Sequence, residues 1–408
     1  VAAFERSWVE IDAARLAANL RAVQSAAGDA TEVLAVVKAD AYGHGAELCA
    51  PILARAGARW FGVTDAAEGV RVRRALERAG FGSAEILVMC GSLPEEFYAI
   101  AQSGLTPVVW TPEQVRALAG LTQAKVHIEI DTGMGRQGAR VGAELDAVLA
   151  AVRNAGLKLD GLFTHLCSSE VAHSPVTMLQ KERFEQVVNQ VRRFGMEPGL
   201  LHIANSSAVD NPADVSRWLS MLARSVGARA MVRAGLALYG YVLPLAQPGH
   251  EDGEDSAHGE LGPQLQTVLT WKARVLAVHD LRVGETVGYG ATFTAAQAMR
   301  VALLPVGYAD GLRRELSNPG TRSSEAAGGW VTAHGPGGVP QPCAIVGRVS
   351  MNLLVVDVSA ALWLAASDVV TLLGEGNTAA DHARIAGTIP YEILCALRSN
   401  PHIVVNES

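Results

Sequence analysis

A lysine stands at the end of an apolar run in AVVKADAYGHG (35–45). The run VLAVV (33–37) is short, apolar and β-branched, which is the composition of a strand buried on both faces. An ammonium at the lip of such a strand costs free energy unless it is solvated, paired or chemically used. Lys38 therefore either reaches out to water or works as an amine. Other apolar runs also end in polar groups. KVHIEID (125–131) leads into DTGMGR and Arg136, and KLDGLFTH (158–165) ends in His165. LLHIAN (200–205) ends in Asn205 and Ser206, and ARAMVRAG (228–235) delivers Arg233 just before Gly235 and Leu236.

Taken singly, each residue has an ordinary reading. Lys38 could snorkel, His165 could be structural, Arg136 and Arg233 could be ion-pair residues, and Tyr42 and Tyr289 could be half-buried packing groups. His44, His202 and His279 read as structural. What singles out the set is its shared position, because in a barrel of alternating strands and helices the chemistry sits where strands end. Ser206 offers a hydroxyl and an N–H where a helix would begin. Gly235 and Leu236 offer N–H groups before LALYG (236–240), an arrangement that suits an anion such as phosphate. A lysine facing a phosphate-anchored ligand is what pyridoxal phosphate requires.

The elements that must position these groups follow from pattern. Eight short apolar runs begin near residues 33, 60, 85, 106, 125, 158, 200 and 228. Helix-like stretches separate them, among them DAAEGVRVRRALERAG (65–80), TPEQVRALAG (111–120) and VTMLQKERFEQVVNQVRRFG (176–195). Asp65 reads as an N-cap and Pro112 as a first-turn proline. The expectation is a (β/α)8 barrel over 11–246. QPGHEDGEDSAHGELGP (247–263) reads as a linker or exposed loop. Over 264–408 the strand-like runs lack long intervening helices, which predicts a mainly β C-terminal domain, with 1–10 joining it as a strand. Within it, 317–340 reads as a long hairpin loop, and 378–387 and 390–397 as short helices. The segment 206–230 has no place in this scheme.

Bulk properties remove several function classes. The 408 residues are 49% hydrophobic and 18% charged with a net charge of −7, and no basic run suggests a nucleic-acid surface. No apolar run reaches the roughly 18 residues needed to cross a bilayer, and VAAFERSWVEID has no signal-peptide core. The five cysteines are scattered without a C-x-x-C pair, which predicts reduced thiols, a cytoplasmic setting and no structural metal. Cys49 and Cys167 read as small core residues.

AVVKADAYGHG, EIDTGMGRQG, HIANSS, VRAGLALYG, GETVGYGATF, LPVGYADG and IVGRVSMN, taken in this order, resemble the alanine racemase family over nearly the whole chain. The resemblance implies a pyridoxal 5'-phosphate enzyme that interconverts L- and D-alanine, supplies D-alanine for peptidoglycan and forms a head-to-tail homodimer with composite active sites. Lys38 would carry the cofactor and act as one base, and Tyr289 of the partner subunit would be the other. Arg233 would face the pyridine nitrogen and Arg136 the ring hydroxyl, with His165 in a chain with Arg233 and Tyr289. Tyr42, Ser206, Gly235 and Leu236 would hold the phosphate, with Asn205 beside them. Tyr308 and Met351 of the partner would face the substrate, Met351 through its backbone, together with Arg136.

The sequence departs from the family pattern in places. Strand alternation puts His127, Glu129 and Asp131 on one face. Many members carry a lysine, often carbamylated, where Glu129 stands, so a direct Glu129–Arg136 pair is expected here. Ser350 and Asn352 replace a common cysteine and aspartate, which keeps a broader amino-acid racemase, for example of serine, as an alternative. A non-catalytic pyridoxal phosphate carrier would lack the β domain and GETVGYG. A basic amino-acid decarboxylase would be expected to place an acidic residue, rather than Arg233, at the pyridine nitrogen.

Overall fold

The eight apolar runs form the strands of a closed parallel barrel. They are Thr31–Val36, Trp60–Val63, Glu85–Val88, Thr106–Val109, Lys125–Asp131, Lys158–Phe163, Leu200–Asn205 and Arg229–Ala234. Each pairs in parallel with the next, and the eighth returns to the first, with Arg233 opposite Leu34. Closure explains the composition of the runs. With helices outside and packed side chains within, both strand faces are dry, so Val33, Leu34, Ala35 and Val36 are all buried. The structure, a computed structural model, describes residues 5–121, 125–211, 215–246, 259–318 and 328–407. Most of the expected linker, 247–258, lies outside the described residues.

Local chemistry sets the helix ends. Asp65 caps Ala66–Arg78 by accepting the Glu68 N–H at 2.8 Å. Thr111 and Gln114 form a capping box at Pro112–Leu118. The segment 206–230 contains two helices, Ser206–Asp210 and Val215–Ser225, the second burying Val215, Leu219 and Ala223.

The chain divides into two compact units. The barrel unit comprises Arg15–Ala41 and the described parts of Ala46–Gln266. The other comprises Tyr42–Gly45 with the described parts of Val1–Ala14 and Thr267–Ser408. This second unit is mainly β. Its six-stranded sheet runs in the order Pro340–Ala344, Trp330–His334, Val369–Leu373, Leu269–Arg274, Ser7–Asp12, His402–Val405. A three-stranded sheet joins Ala277–Leu281, Met299–Leu304 and Leu354–Asp357.

Two expectations fail here. The apolar run VLTWKARVLAV (268–278), which reads as one strand, is split between two, Leu269–Arg274 and Ala277–Leu281, which lie in different sheets. The expected loop 317–340 contains a strand, Trp330–His334, paired antiparallel with Pro340–Ala344. Its Val331, Thr332 and Ala333 are all buried, a run too short to stand out among the flanking glycines and prolines. Residues 319–327 of that stretch lie outside the described residues.

Candidate active site

The first barrel strand stops at Val36, and Lys38 opens a one-turn helical segment, Lys38–Gly43. Its hand is reversed. Ala39, Asp40, Ala41 and Tyr42 have φ of 52°, 55°, 54° and 53°. The reversal starts at Ala39, ahead of Gly43 and Gly45, so it is not left to the glycines. Left-handed L-residues cost about 1–2 kcal/mol each, so neighbouring bonds must hold the turn. Asp40 Oδ1 accepts the Ala46 N–H at 2.7 Å. Glu68 accepts the Asp40 N–H at 3.3 Å and the Thr64 N–H at 2.9 Å.

Arg233, at the end of the eighth strand, is buried and organises the barrel interior around it. Its Nη2 donates to Thr164 O at 3.0 Å and to His165 Nδ1 at 2.9 Å, and its Nη1 donates to His202 Nδ1 at 3.3 Å. Phe163 lies 5.1 Å from the guanidinium and stacks on His202 with centroids 4.4 Å apart. Burial pushes Arg233 down to about 10, still protonated at neutral pH. Burial, followed by the charges of Arg233, Arg136 and Lys38, presses His165 down to about 3. The His165 backbone is fixed by Gln180, whose Nε2 donates to His165 O at 2.9 Å.

The anion-binding reading of the last two strand ends needs correction. The Gly235 N–H is not bare. It donates to Ser206 Oγ at 3.0 Å, as does the Ala237 N–H at 3.2 Å. Ser206 thus clasps the turn that opens Leu236–Tyr239. Asn205 caps Ser206–Asp210 by accepting the Ala208 N–H at 2.9 Å.

Asp131 shapes the DTGMGR loop, its Oδ1 accepting the N–H groups of Gly133, Met134 and Gly135 at 2.9, 3.0 and 3.1 Å. Arg136 projects from this loop, exposed and without a hydrogen bond or ion pair among the described residues. The expected Glu129–Arg136 pair is absent. The carboxylate of Glu129 is instead bonded by Gln137 Nε2, which also donates to Met89 O at 3.0 Å. Burial pushes Glu129 up to about 7, against Gln137, Arg233 and Arg136, which favour its charged form. Glu129 points into the barrel, where the next residue along the loop reaches it better than Arg136 does. Cys90 is a further neighbour. Burial raises its thiol pKa while Lys38 and Arg136 oppose the rise. Cys167, expected in the core, is exposed, with Sγ 3.3 Å from Gln180 Oε1, whereas Cys49 is buried.

Tyr42, Tyr289, Tyr308 and Met351 fall in the other unit. Tyr42 packs against Tyr391 with ring centroids 5.8 Å apart. Tyr289 sits at the tip of a ribbon formed by Thr286–Val287 and Phe293–Thr294, between Gly288 and Gly290, whose φ of 74° and 73° give it its tight turn. It is 71% exposed. Tyr308 N–H donates to Ser350 O at 3.1 Å and Ala309 N–H to Met351 O at 3.0 Å, so these two loops pack as one. A Cβ on Gly307 would lie 2.1 Å from Ser350 O. Tyr308 and Met351 remain exposed, as does Leu353, two residues after Met351.

Sequence reasoning missed Gln137, Gln180, Phe163 and Glu68, and it set His202 aside as structural. His202 was the most legible of these, because alternation from Asn205 through Ala204 already fixes which face of the seventh strand each residue takes.

Family models described as the alanine racemase N-terminal and C-terminal domains match residues 11–243 and 268–405. An alanine racemase of Symbiobacterium thermophilum is 34% identical over 407 residues, covering 96% of this chain and 94% of the relative. One of Cutibacterium acnes is 35% identical over 400 residues, covering 95% and 94%. The solved alanine racemase of Streptomyces coelicolor superposes with a TM-score of 0.77 at 30% identity over 98% of each chain. This chain belongs to the alanine racemase family. It is thereby an isomerase acting on amino acids. The solved Bartonella henselae alanine racemase, described with covalently bound pyridoxal phosphate, superposes with a TM-score of 0.76 at 26% identity over 98% of this chain and 99% of that one.

The family's cofactor can be tested against the residues present. With both Nη nitrogens of Arg233 engaged, its Nε has no acceptor among the described residues and is available to a ring nitrogen. The Ser206 hydroxyl, already an acceptor of two N–H groups, retains its own O–H for a phosphate oxygen. Lys38 supplies an amine at the end of the first barrel strand. The donor set fits pyridoxal phosphate. Among the described residues no cluster of His, Cys, Asp and Glu could hold a metal ion, and no helix is long and apolar enough to cross a membrane.

Proposed function

We propose that this chain interconverts L- and D-alanine with pyridoxal 5'-phosphate, using two bases on opposite faces of the substrate Cα. Bound pyridoxal phosphate supplies a sink for the electrons left at Cα when its proton departs. Lys38 Nζ removes or returns that proton on one face, and Tyr289 Oη of the partner subunit does so on the other. Racemisation then needs no rotation of the substrate. Lys38 holds the cofactor, with Tyr42, Ser206 and Leu236 at its phosphate, Gly235 bonded to Ser206 and Asn205 fixing the turn beside them, and Arg136 and His165 at the ring. Arg136 also faces the substrate, with Tyr308 and Met351 of the partner.

The observation that carries this reading is a buried arginine whose Nη groups are held by Thr164, His165 and His202 while its Nε–H has no acceptor among the described residues. A guanidinium donates a hydrogen bond without surrendering its proton. The ring nitrogen it meets stays weakly basic, which favours returning the proton to Cα over side reactions. The exposed ribbon tip at Tyr289 and the adjoining loops of Tyr308 and Met351 support a composite site completed by a second copy, in a head-to-tail homodimer. We place the enzyme in the cytoplasm, supplying D-alanine for peptidoglycan.

The test is incubation with L- or D-alanine in deuterated water. Optical rotation should decay to zero from either side with deuterium entering Cα, and borohydride should fix the cofactor to the peptide containing Lys38. Rotation that stays constant, or release of carbon dioxide, refutes the reading. Asn352, exposed and uncharged next to Met351, favours a second reading of broader specificity, and serine in the same assay decides it.

A further inference from the structure

The barrel interior holds a line of polar groups that the chemistry above does not use. Arg233 Nη1 can only donate, so His202 Nδ1, 3.3 Å away, must be bare. Burial, with His127 and Arg233, holds His202 far below its ordinary pKa, and a neutral imidazole with bare Nδ1 carries its proton on Nε2. His202 Nε2 lies 2.9 Å from His127 Nδ1 and therefore donates to it. By the same logic His127, also neutral through burial, carries its proton on Nε2. That atom has no hydrogen-bond partner among the described residues, and the nearby carboxylate oxygen Asp160 Oδ2 lies 3.9 Å from it, longer than a hydrogen bond.

We infer that His127 and Asp160 are positioning residues for Arg233, acting along a one-way line of donors, Arg233 to His202 to His127, whose last N–H is left to the electrostatic pull of the Asp160 carboxylate. Each imidazole has one tautomer that satisfies both neighbours; Arg233 imposes it from one end, and the anion at the other end stabilises the same arrangement. Asp160 is secured as that anion by the His127 imidazole and the Lys158 and Lys125 ammoniums, with Lys158 Nζ at 2.6 Å. It borders a cavity of about 560 Å³ where the barrel strands begin, lined also by Glu85, Lys125, Lys158 and Arg229. The sixth strand is cut away to admit the line. A Cβ on Gly161 would lie 2.3 Å from His127 Nδ1. Without the anion, His127 can turn its proton toward His202, His202 can present an N–H to Arg233, and the guanidinium loses its acceptor.

The functional consequence rests on the proposed role of Arg233, while the line stands on geometry, and one experiment separates them. Long-range proton–nitrogen NMR of the cofactor-loaded full chain, labelled with nitrogen-15 histidine, reads the tautomers. The wild type should show His202 and His127 protonated on Nε2 alone. Asp160→Leu should mix both tautomers and lower kcat roughly tenfold, with KM for alanine within about twofold, the range for partners that orient a functional histidine. Asp160→Asn, whose side-chain oxygen still accepts, should restore the tautomers, and Lys158→Met should leave them unchanged. Should Asp160→Leu fail to fold, His127→Leu breaks the line at its middle and must still shift His202. A wild-type His202 protonated on Nδ1, or tautomers indifferent to Asp160, overturns the line. Shifted tautomers with unchanged kcat overturn the positioning role. A protein without racemase activity that keeps the tautomer response strikes the proposed function and leaves the line standing.

Discussion

Arg233 Nη2 lies 2.9 Å from His165 Nδ1 and can only donate to it. His165 is therefore neutral, with its proton on Nε2, and toward its other neighbour it acts as a donor. A donor in that place suits an oxygen that carries negative charge, and it cannot take a proton unless Arg233 moves. The pair thus sets the sign of what His165 can do, and burial in front of three cations keeps it so.

Acid should destabilise the protein earlier than a carboxylate-driven transition would. His165 and His382 are depressed to about 3 and about 4, and His127 and His202 are also lowered, all chiefly by burial. Each folded pKa lies below the ordinary 6.5, so below that pH the unfolded chain binds more protons and stability falls as pH falls. Each imidazole adds about 1.4 kcal/mol per pH unit to the slope. Glu129, raised to about 7, has the opposite sign, its contribution being present below 4.5 and lost through 7, but it is one group against four. Melting temperature measured from pH 7 to 4 should drop steadily from near 6.5. A flat curve down to pH 5 contradicts the burial of these imidazoles as neutral groups.

Ser206→Ala should loosen the turn at the end of the eighth strand. It removes the acceptor of the Gly235 and Ala237 N–H groups, both in buried surroundings, at a cost of about 1–3 kcal/mol if no water replaces it. Titrating cofactor-free protein with pyridoxal phosphate and following absorbance should show at least tenfold weaker binding, alongside a lower melting temperature. Unchanged affinity would mean that Ser206 serves the fold alone.

The barrel was legible because a closed parallel sheet imposes unbroken apolar runs, and strand ends are marked by the first polar residue after each. Lys38, His165, Ser206 and Arg233 could be picked out for that reason. What lay beyond reach depends on distance in space. Gln137 outcompetes Arg136 for Glu129 through loop geometry set by Asp131, which residue types do not reveal. The reversed turn after Lys38 was invisible because Ala39 to Tyr42 are residues that avoid that region, and bonds from Glu68 and Asp40 override their preference. The strand Trp330–His334 was hidden by glycine and proline on either side.

Glu129 should free this enzyme from dissolved carbon dioxide. Where the resemblance leads one to expect a lysine in need of carbamylation, a carboxyl is present outright and bonded by Gln137. Activity in degassed buffer and in bicarbonate should agree within experimental error, whereas Glu129→Lys should become bicarbonate-dependent. A bicarbonate-dependent wild type would require another carbamylated group. Gln137→Leu should leave Glu129 without its donor, costing about 1–3 kcal/mol and favouring the protonated carboxyl.

If the second base comes from the partner subunit, inactive variants should rescue one another. Lys38→Ala and Tyr289→Phe each disable every site in their own homodimers. Mixed after denaturation and refolding, half the dimers should be hybrids, each with one intact site, so about a quarter of wild-type activity should return. The exposed position of Tyr289 on its ribbon makes this geometry possible. No recovery despite demonstrated subunit exchange places both bases in one chain.

The left-handed turn after Lys38 should make Glu68 important to rate without touching the reaction. Its two carboxylate oxygens hold the Thr64 and Asp40 N–H groups, and Asp40 in turn holds Ala46. Four L-residues at positive φ store several kcal/mol by the cost of about 1–2 each, and such a turn persists only while its bonds outweigh that cost. Glu68→Ala should let the segment relax toward right-handed backbone and displace Lys38 by an ångström or more, a shift that costs roughly a hundredfold in rate. Glu68→Gln, which keeps one acceptor, should fall between. Ala39→Gly tests the same strain from the other side. It relieves strain at one position, so it should be neutral or stabilising by about 1 kcal/mol while kcat changes little. If Glu68→Ala keeps its rate, the turn is held by packing, and the carboxylate is dispensable to the position of Lys38.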